Sequence, residues 1–95
     1  MKIKTKSGFV CDVNENKAKD WRFTKALAKW ENEETTLVGM TFCIPFLLGE
    51  DGEEKLMNHV KESDGSIPSA KVISEFREIL DLMGKELKKS QSLQG

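Results

Sequence analysis

The fold is decided by the first thirteen residues, Met1-Lys2-Ile3-Lys4-Thr5-Lys6-Ser7-Gly8-Phe9-Val10-Cys11-Asp12-Val13. Apolar and polar side chains alternate on both sides of Ser7 and Gly8, as they do in two half-buried strands. A two-residue turn at Ser7-Gly8 would mix the two faces. A three-residue loop over 6–8 instead pairs Ile3 with Cys11, collects the apolar side chains on one face and places Gly8 where a left-handed residue is needed. The sequence therefore predicts a hairpin over 2–13 with a three-residue loop.

A hairpin alone is marginally stable, so its apolar face must rest on other elements. The next segment predicts a helix over 15–32 that begins behind an Asn14 cap. Its apolar residues recur at helical spacing and form one stripe, which two further residues broaden. The stripe consists of Phe23, Ala26, Leu27 and Trp30, and it is broadened by Trp21 and Ala28.

Residues 36–48 are apolar nearly all round and predict a buried element. Gly39 and Pro45 both weaken a helix, and Pro45 removes one internal hydrogen bond. The length of the segment favours a helix kinked at Pro45, with a strand as the alternative. Gly49 is a fitting helix stop.

Two more helices are predicted, over about 52–62 and 68–87. The first follows a capping box with Asp51 as the cap, and the second begins at Pro68, where a missing N–H is harmless, with Ser69 as an alternative cap. The second helix has a clear amphipathic stripe made of Val72, Ile73, Phe76, Ile79, Leu80, Met83 and Leu87. Residues 88–95 are polar and are predicted to be a disordered tail. The fold class is therefore α+β: one domain over 1–87, with a short N-terminal hairpin followed by about four helices.

The charge is balanced overall but segregated along the chain. The 95 residues contain 15 Lys and Arg against 16 Asp and Glu. Residues 1–29 carry eight basic and three acidic groups, residues 30–64 carry two and nine, and residues 65–95 carry five and four. A net charge of −1 disfavours nucleic acid as the main partner. The segregation is compatible with head-to-tail association between copies.

No targeting signal or membrane span is expected from the sequence. The basic N-terminus is not followed by an apolar run of signal-peptide length, and the apolar run around 42–48 is too short to cross a bilayer. Cys11 and Cys43 are expected to be reduced, packed thiols in a cytoplasmic protein.

Residue patterns that support catalysis or cofactor binding are missing from the sequence. His59 is the only histidine and has no nucleophile beside it in sequence, so a packed or half-exposed structural role is expected. Cys11, Cys43 and His59 lack the spacing of a zinc site. The carboxylates at 50–54 lack the pattern of a calcium loop, and neither glycine-rich phosphate-binding motif occurs. The sequence therefore predicts no catalytic, cofactor-binding or metal-binding residues and a protein that is not an enzyme.

An ordered string of features resembles the tail assembly chaperones of long-tailed bacteriophages and prophages. The hairpin ends in Phe9-Val10-Cys11-Asp12-Val13-Asn14, and a helix begins near Asp20-Trp21. Leu47-Leu48-Gly49 then precedes Leu56-Met57-Asn58-His59-Val60 and Asp64-Gly65-Ser66-Ile67-Pro68. The resemblance covers residues 2–84 and is strongest over 47–68. Pro45 departs from the helical residues usual in that family.

The resemblance implies a non-enzymatic chaperone in the host bacterial cytoplasm, absent from the mature virion. Such a chaperone keeps the tape measure protein soluble and helps to recruit the tail tube protein. An apolar surface that accepts amphipathic helices would be sufficient for this function. The flexible side chains of Met40, Met57 and Met83 would help such a surface to fit different helices. The alternative for each methionine is that it fills the core. The residues that contact the partner are not identified. The alternative function is a small nucleic-acid-binding regulator that uses the basic N-terminal third.

Overall fold

In a computed structural model of the chain, residues 1–32 and 36–94 are described, with side chains to Lys88. The elements in chain order are β1 (Lys2–Lys4), β2 (Val10–Asp12), α1 (Glu15–Ala18), α2 (Trp21–Glu31), α3 (Thr36–Val60) and α4 (Ser69–Gln94). The predicted α+β class, a short hairpin followed by about four helices, is confirmed.

The hairpin has the predicted register. β1 and β2 are antiparallel, with Ile3 opposite Cys11. The Thr5 backbone N–H donates to the Phe9 carbonyl at 2.9 Å, which closes the three-residue loop, and Gly8 has a φ of 95°. The inner face of the hairpin is buried at Ile3, Phe9 and Val13. The alternation of the side chains was therefore sufficient to choose the loop length.

The single helix predicted over 15–32 is wrong, because the chain breaks it at Asp20. Asn14 caps α1 as predicted, and its side chain accepts the backbone N–H of Asn16 at 2.8 Å. Asp20 then adopts an extended conformation and caps α2 by accepting the Arg22 N–H at 2.8 Å. An aspartate that can cap a new helix competes with helix continuation at this position. The connection predicted around 31–34 falls partly on 33–35, outside the described residues.

The helix expected over 36–48 is present and is not a strand, but its break lies at Gly49. Pro45 lies within helical structure, whereas Gly49 has φ 78° and ψ 168°, a conformation that is essentially restricted to glycine. α3 therefore consists of two helical halves joined at Gly49. The second half follows the kink and ends at Val60, close to the predicted end near 62, but Asp51 lies within helical structure, so the predicted Asp51 cap is wrong.

α4 begins at Ser69, where the backbone N–H groups of Lys71 and Val72 donate to the Pro68 carbonyl. Its predicted stripe is correct, with Val72, Phe76, Ile79 and Met83 buried. The helix continues to Gln94, so the prediction of a disordered tail from residue 88 is wrong up to that residue.

One core joins the hairpin to the helices. The Trp30 ring of α2 packs on the Phe76 ring of α4 with centroids 5.5 Å apart, and the Phe9 ring lies 5.2 Å from the His59 ring of α3. The buried apolar residues of this core are Ile3, Phe9, Val13, Phe23, Ala26, Trp30, Met40, Cys43, Ile44, Leu47, Leu56, Val60, Val72, Phe76, Ile79 and Met83.

Candidate functional site

Large apolar side chains are exposed on α2 and on the first two turns of α3. Trp21 is 71% exposed, Leu37 62%, Val38 57% and Phe42 41%. The predictions that Trp21 broadens the buried stripe of α2 and that 36–48 is a wholly buried element are therefore wrong at these positions. Ala28, the other residue expected to broaden the stripe, is exposed too. Where exposed apolar side chains adjoin one another, as Val38 and Phe42 do, they mark a surface that another molecule can cover.

Two of these residues, Val38 and Phe42, line a groove between α2 and α3. We call it the α2–α3 groove; its volume is about 280 Å³. Val38 and Phe42 line it from α3, and Ala26 lines it from α2. Arg22, Lys25 and Lys29 complete the lining. Helical spacing explains the arrangement, because residues three or four positions apart lie on the same face.

The two helices can form this groove because Gly39 brings them into backbone contact. A Cβ atom built on Gly39 would lie 2.5 Å from the Ala26 carbonyl oxygen and 2.5 Å from the Trp30 backbone nitrogen. No side chain can be accommodated at that distance. From the sequence Gly39 was expected only to weaken a helix, because a close approach of two helices depends on tertiary packing.

Three phenylalanine rings connect the groove to the core. Phe42 stacks on Phe46 with centroids 5.1 Å apart, and Phe46 stacks on Phe23 at 6.4 Å. The Lys17 ammonium and the Arg22 guanidinium lie 5.5 Å and 5.1 Å from the Phe46 ring centre. The exposed Phe42 ring is therefore supported by a packed column rather than by mobile side chains.

Arg22 is oriented by the residue that caps α2. Its Nε donates to Asp20 Oδ1 at 3.0 Å and its guanidinium donates to Oδ2 at 2.9 Å. These hydrogen bonds, together with the backbone N–H of Arg22, lower the pKa of Asp20 to about 2. The Asp20 carboxylate thus caps α2 and holds Arg22, whose guanidinium lies over the Phe46 ring.

The charged side chains that line the groove are cationic. Among the residues that the structure describes, the lining contains three cations and no carboxylate. The acidic groups of residues 50–54 lie on the second half of α3, beyond the Gly49 kink. The segregation of charge seen in the sequence therefore reappears at this groove as a basic rim beside apolar side chains.

The methionines do not form the adaptable surface that the resemblance suggested. Met40 and Met83 are buried in the core. Met57 is half-buried and lies with Met40, Ile44 and Ile67 around a separate depression of about 320 Å³. Core filling, the alternative considered for each methionine, describes Met40 and Met83.

The structure also brings together a polar cluster that could not be found from sequence spacing. Ser7 Oγ of the hairpin loop lies 2.8 Å from His59 Nε2 on α3 and donates to Glu75 Oε1 on α4 at 2.5 Å. Thr5 Oγ1, which is buried, donates to the same carboxylate oxygen at 2.5 Å. Three segments far apart in sequence thus meet at Glu75.

The hydrogen bonding of this cluster favours a structural role. A serine hydroxyl has one proton, and Ser7 gives it to Glu75, so His59 Nε2 donates to Ser7 rather than accepting from it. A histidine that activates a nucleophile must accept that proton. The cluster therefore fastens the hairpin loop to α3 and α4. The structural role expected for His59 stays a prediction; the residue is exposed, and its ring lies against Phe9.

Both cysteines are free, with Cys43 buried and Cys11 half-buried. Within residues 1–32 and 36–94, no three His, Cys, Asp or Glu side chains are gathered in a way that could hold a metal ion. None of the helices in this part of the chain has the length and apolar character that crossing a membrane requires.

Comparison with known proteins found no match, whether to a protein-family model, to a curated protein or to a solved structure.

Proposed function

We propose that this protein is a non-enzymatic chaperone of bacteriophage tail assembly. It binds the tape measure protein in the host cytoplasm, keeps it soluble, helps to recruit tail tube subunits and is absent from the finished virion. The proposal combines the family resemblance of the sequence with one observation of the structure. That observation is the exposed apolar surface around Val38 and Phe42.

The physical demand on such a chaperone matches this surface. A long helical protein that has not yet assembled exposes apolar stripes along its helices, and these stripes aggregate unless they are covered. A groove between two helices covers such a stripe by packing side chains of successive turns against its own. Val38 and Phe42 lie one turn apart on α3 and present this spacing.

The test is co-expression with the tape measure protein encoded in the same genome. We expect the wild-type chain to keep the tape measure protein in the soluble fraction and to co-purify with it. A double variant, Val38→Ser with Phe42→Ser, should lose most of this effect while remaining folded by circular dichroism.

A matched control uses exposed apolar residues outside the groove. Val10 and Ile67 are 47% and 41% exposed, close to the values for Val38 and Phe42. The double variant Val10→Ser with Ile67→Ser should keep the tape measure protein as soluble as the wild type does. A tape measure protein that neither binds the wild-type chain nor changes in solubility would contradict the proposal.

The second candidate function is a small nucleic-acid-binding regulator. The observation in its favour is the row of Arg22, Lys25 and Lys29 on α2, the helix that also carries the exposed Trp21, since cations and an exposed aromatic ring suit a phosphate backbone and an unstacked base. An electrophoretic mobility shift that weakens steeply with salt would favour this function over the chaperone.

A further inference from the structure

We infer that the α2–α3 groove binds an amphipathic helix whose apolar stripe is bordered by Asp or Glu side chains. The inference rests on the proposed function, because it specifies the chemistry of the partner at the same surface. It adds a charge requirement that an apolar surface alone would not impose.

The apolar part of the groove sets the first requirement. Ala26 is small and lies opposite Val38 and Phe42, so the groove is open between the two helices. Phe42 stacks on Phe46, which stacks on Phe23 in the core, and this column holds the Phe42 ring in place. A third helix laid along the groove would bury these side chains with little ordering of the surface, which favours binding.

The basic rim sets the second requirement. Arg22, Lys25 and Lys29 occur at positions i, i+3 and i+7 of α2, so they follow one face of the helix over about 10 Å. A partner helix with carboxylates along one edge can lie beside this face of α2. A partner bordered by Lys or Arg would bring like charges together, because the lining has three cationic side chains and, over residues 1–32 and 36–88, no carboxylate.

Asp20 pairs with Arg22 through two oxygens and is not itself part of the groove lining. Lys25, one turn further along α2, is therefore the position at which a partner carboxylate is most directly tested.

The experiment uses three synthetic helices of equal length that share one leucine stripe. The stripe is bordered by Glu in the first peptide, by Gln in the second and by Lys in the third. Binding of each fluorescently labelled peptide to the full chain is measured by anisotropy at low and high salt. Trp21 adjoins the groove-lining Arg22 in sequence and is 71% exposed, whereas Trp30 is 5% exposed, so a change in tryptophan emission reports binding near the start of α2.

We expect the Glu-bordered peptide to bind at least tenfold more tightly than the Lys-bordered one at low salt, with the Gln-bordered peptide between them. The preference should shrink in high salt, and the Glu-bordered peptide should shift Trp21 emission to shorter wavelength. In Lys25→Glu the ratio of the affinity for the Glu-bordered peptide to that for the Lys-bordered peptide should fall at least fivefold. The matched variant Lys55→Glu, which makes the same change at an exposed position outside the groove, should leave the ratio unchanged.

Several results would overturn the inference. These are equal affinity for the three peptides, binding to none of them, or a charge preference that Lys55→Glu alters as much as Lys25→Glu does. Displacement of the Glu-bordered peptide by single-stranded DNA, with tighter DNA binding, would assign the groove to nucleic acid. A concentration-dependent dimer that shields Trp21 without any peptide would assign it to a second copy.

Failure of the inference is distinguishable from failure of the proposed function. If the tape measure protein binds the wild-type chain and Lys25→Glu equally well, the chaperone function stands and the charge requirement is wrong. If the Glu-bordered peptide binds as expected but the tape measure protein does not, the groove is correctly described and the proposed partner is wrong.

Discussion

Gly39 of α3 lies directly against the backbone of Trp30 on α2. A Cβ atom at position 39 would be 2.5 Å from the Trp30 nitrogen and 2.9 Å from its Cα. Because Trp30 also packs on Phe76 of α4, this contact links the helix pair that forms the groove to the centre of the core. The exposed surface and the stability of the fold therefore depend on the same glycine.

Replacing Gly39 by alanine should destabilise the protein by about 2–3 kcal/mol, at the upper end of the usual cost of overpacking, because the neighbouring atoms are backbone and cannot rotate away. Urea unfolding followed by circular dichroism measures the change. The control is Gly84→Ala on α4, where a new Cβ meets nothing within 4 Å and removes only a flexible helical glycine.

Gly84→Ala should therefore raise the free energy of unfolding by about 0.5–1 kcal/mol. Equal effects of the two substitutions, in either direction, would show that α2 and α3 do not approach each other as closely as described.

The sequence was most informative where side-chain alternation and turn chemistry agree. In the hairpin, only one loop length places Ile3 and Cys11 on the same face, and that register is observed. The α4 stripe was equally clear because apolar residues recur over many turns at one spacing. The two features involve short-range geometry, which a single sequence encodes directly.

The sequence was least informative where a local signal has two interpretations. Asp20 can stand within a helix or cap a new one, and only the packing of α1 against α2 and α3 decides between them. Pro45 and Gly49 both mark a kink in 36–60, and the positive φ occurs at Gly49 alone. The exposure of Val38 and Phe42 could not be predicted because it depends on which face of α3 the core occupies.

The hairpin loop should depend on Glu75 for part of its stability. Glu75 Oε1 accepts hydrogen bonds from Thr5 and Ser7, and its side chain is mostly buried. Glu75→Gln keeps the shape but removes the charge that strengthens these bonds, so we expect a loss of about 1–2 kcal/mol in urea unfolding.

Amide hydrogen exchange should show where the Glu75→Gln loss occurs. The Thr5 and Gly8 N–H groups, which close the loop, should exchange faster in the variant. The control is Glu54→Gln, an exposed carboxylate on α3, which should change stability by less than about 0.5 kcal/mol. Unchanged protection of the loop in Glu75→Gln would contradict the role assigned to this carboxylate.

Asp20 should make the stability of the protein depend on pH in acid. Hydrogen bonds from Arg22 lower the pKa of Asp20 from 3.8 to about 2 in the folded chain. The folded state therefore holds the carboxylate more strongly than the unfolded state does, and the contribution is complete above pH 4. It is lost as the pH falls from 4 towards 2, because the unfolded state takes up the proton first.

Unfolding midpoints measured between pH 2 and pH 5 check this dependence. The variant Asp20→Asn retains a side-chain oxygen that can cap α2 but has no charge to titrate, so its midpoint should vary less over this range than that of the wild type. Asp51→Asn, at another exposed position, should keep the wild-type dependence. Carbon NMR of the Asp20 carboxyl group that shows a midpoint near pH 4 would contradict the bonding described for Arg22.

The two thiols should differ in reactivity, and the difference reports on the packing of α3. Burial raises the pKa of Cys43 to about 11, and burial followed by the charge of Asp12 raises the pKa of the half-buried Cys11. The thiolate is the reactive species. Cys43 in the folded chain should therefore react with a disulfide reagent at pH 8 at least about a hundredfold more slowly than an unperturbed thiol with a pKa near 8.5.

The variant Cys11→Ser isolates Cys43. In 6 M guanidinium chloride the reaction rate of Cys43 should rise to that of a free thiol. Cys43 lies on the same helical segment as Val38 and Phe42 but faces the core. Rapid reaction of Cys43 without denaturant would mean that this segment opens readily, and the supported groove described for α2 and α3 would not persist in solution.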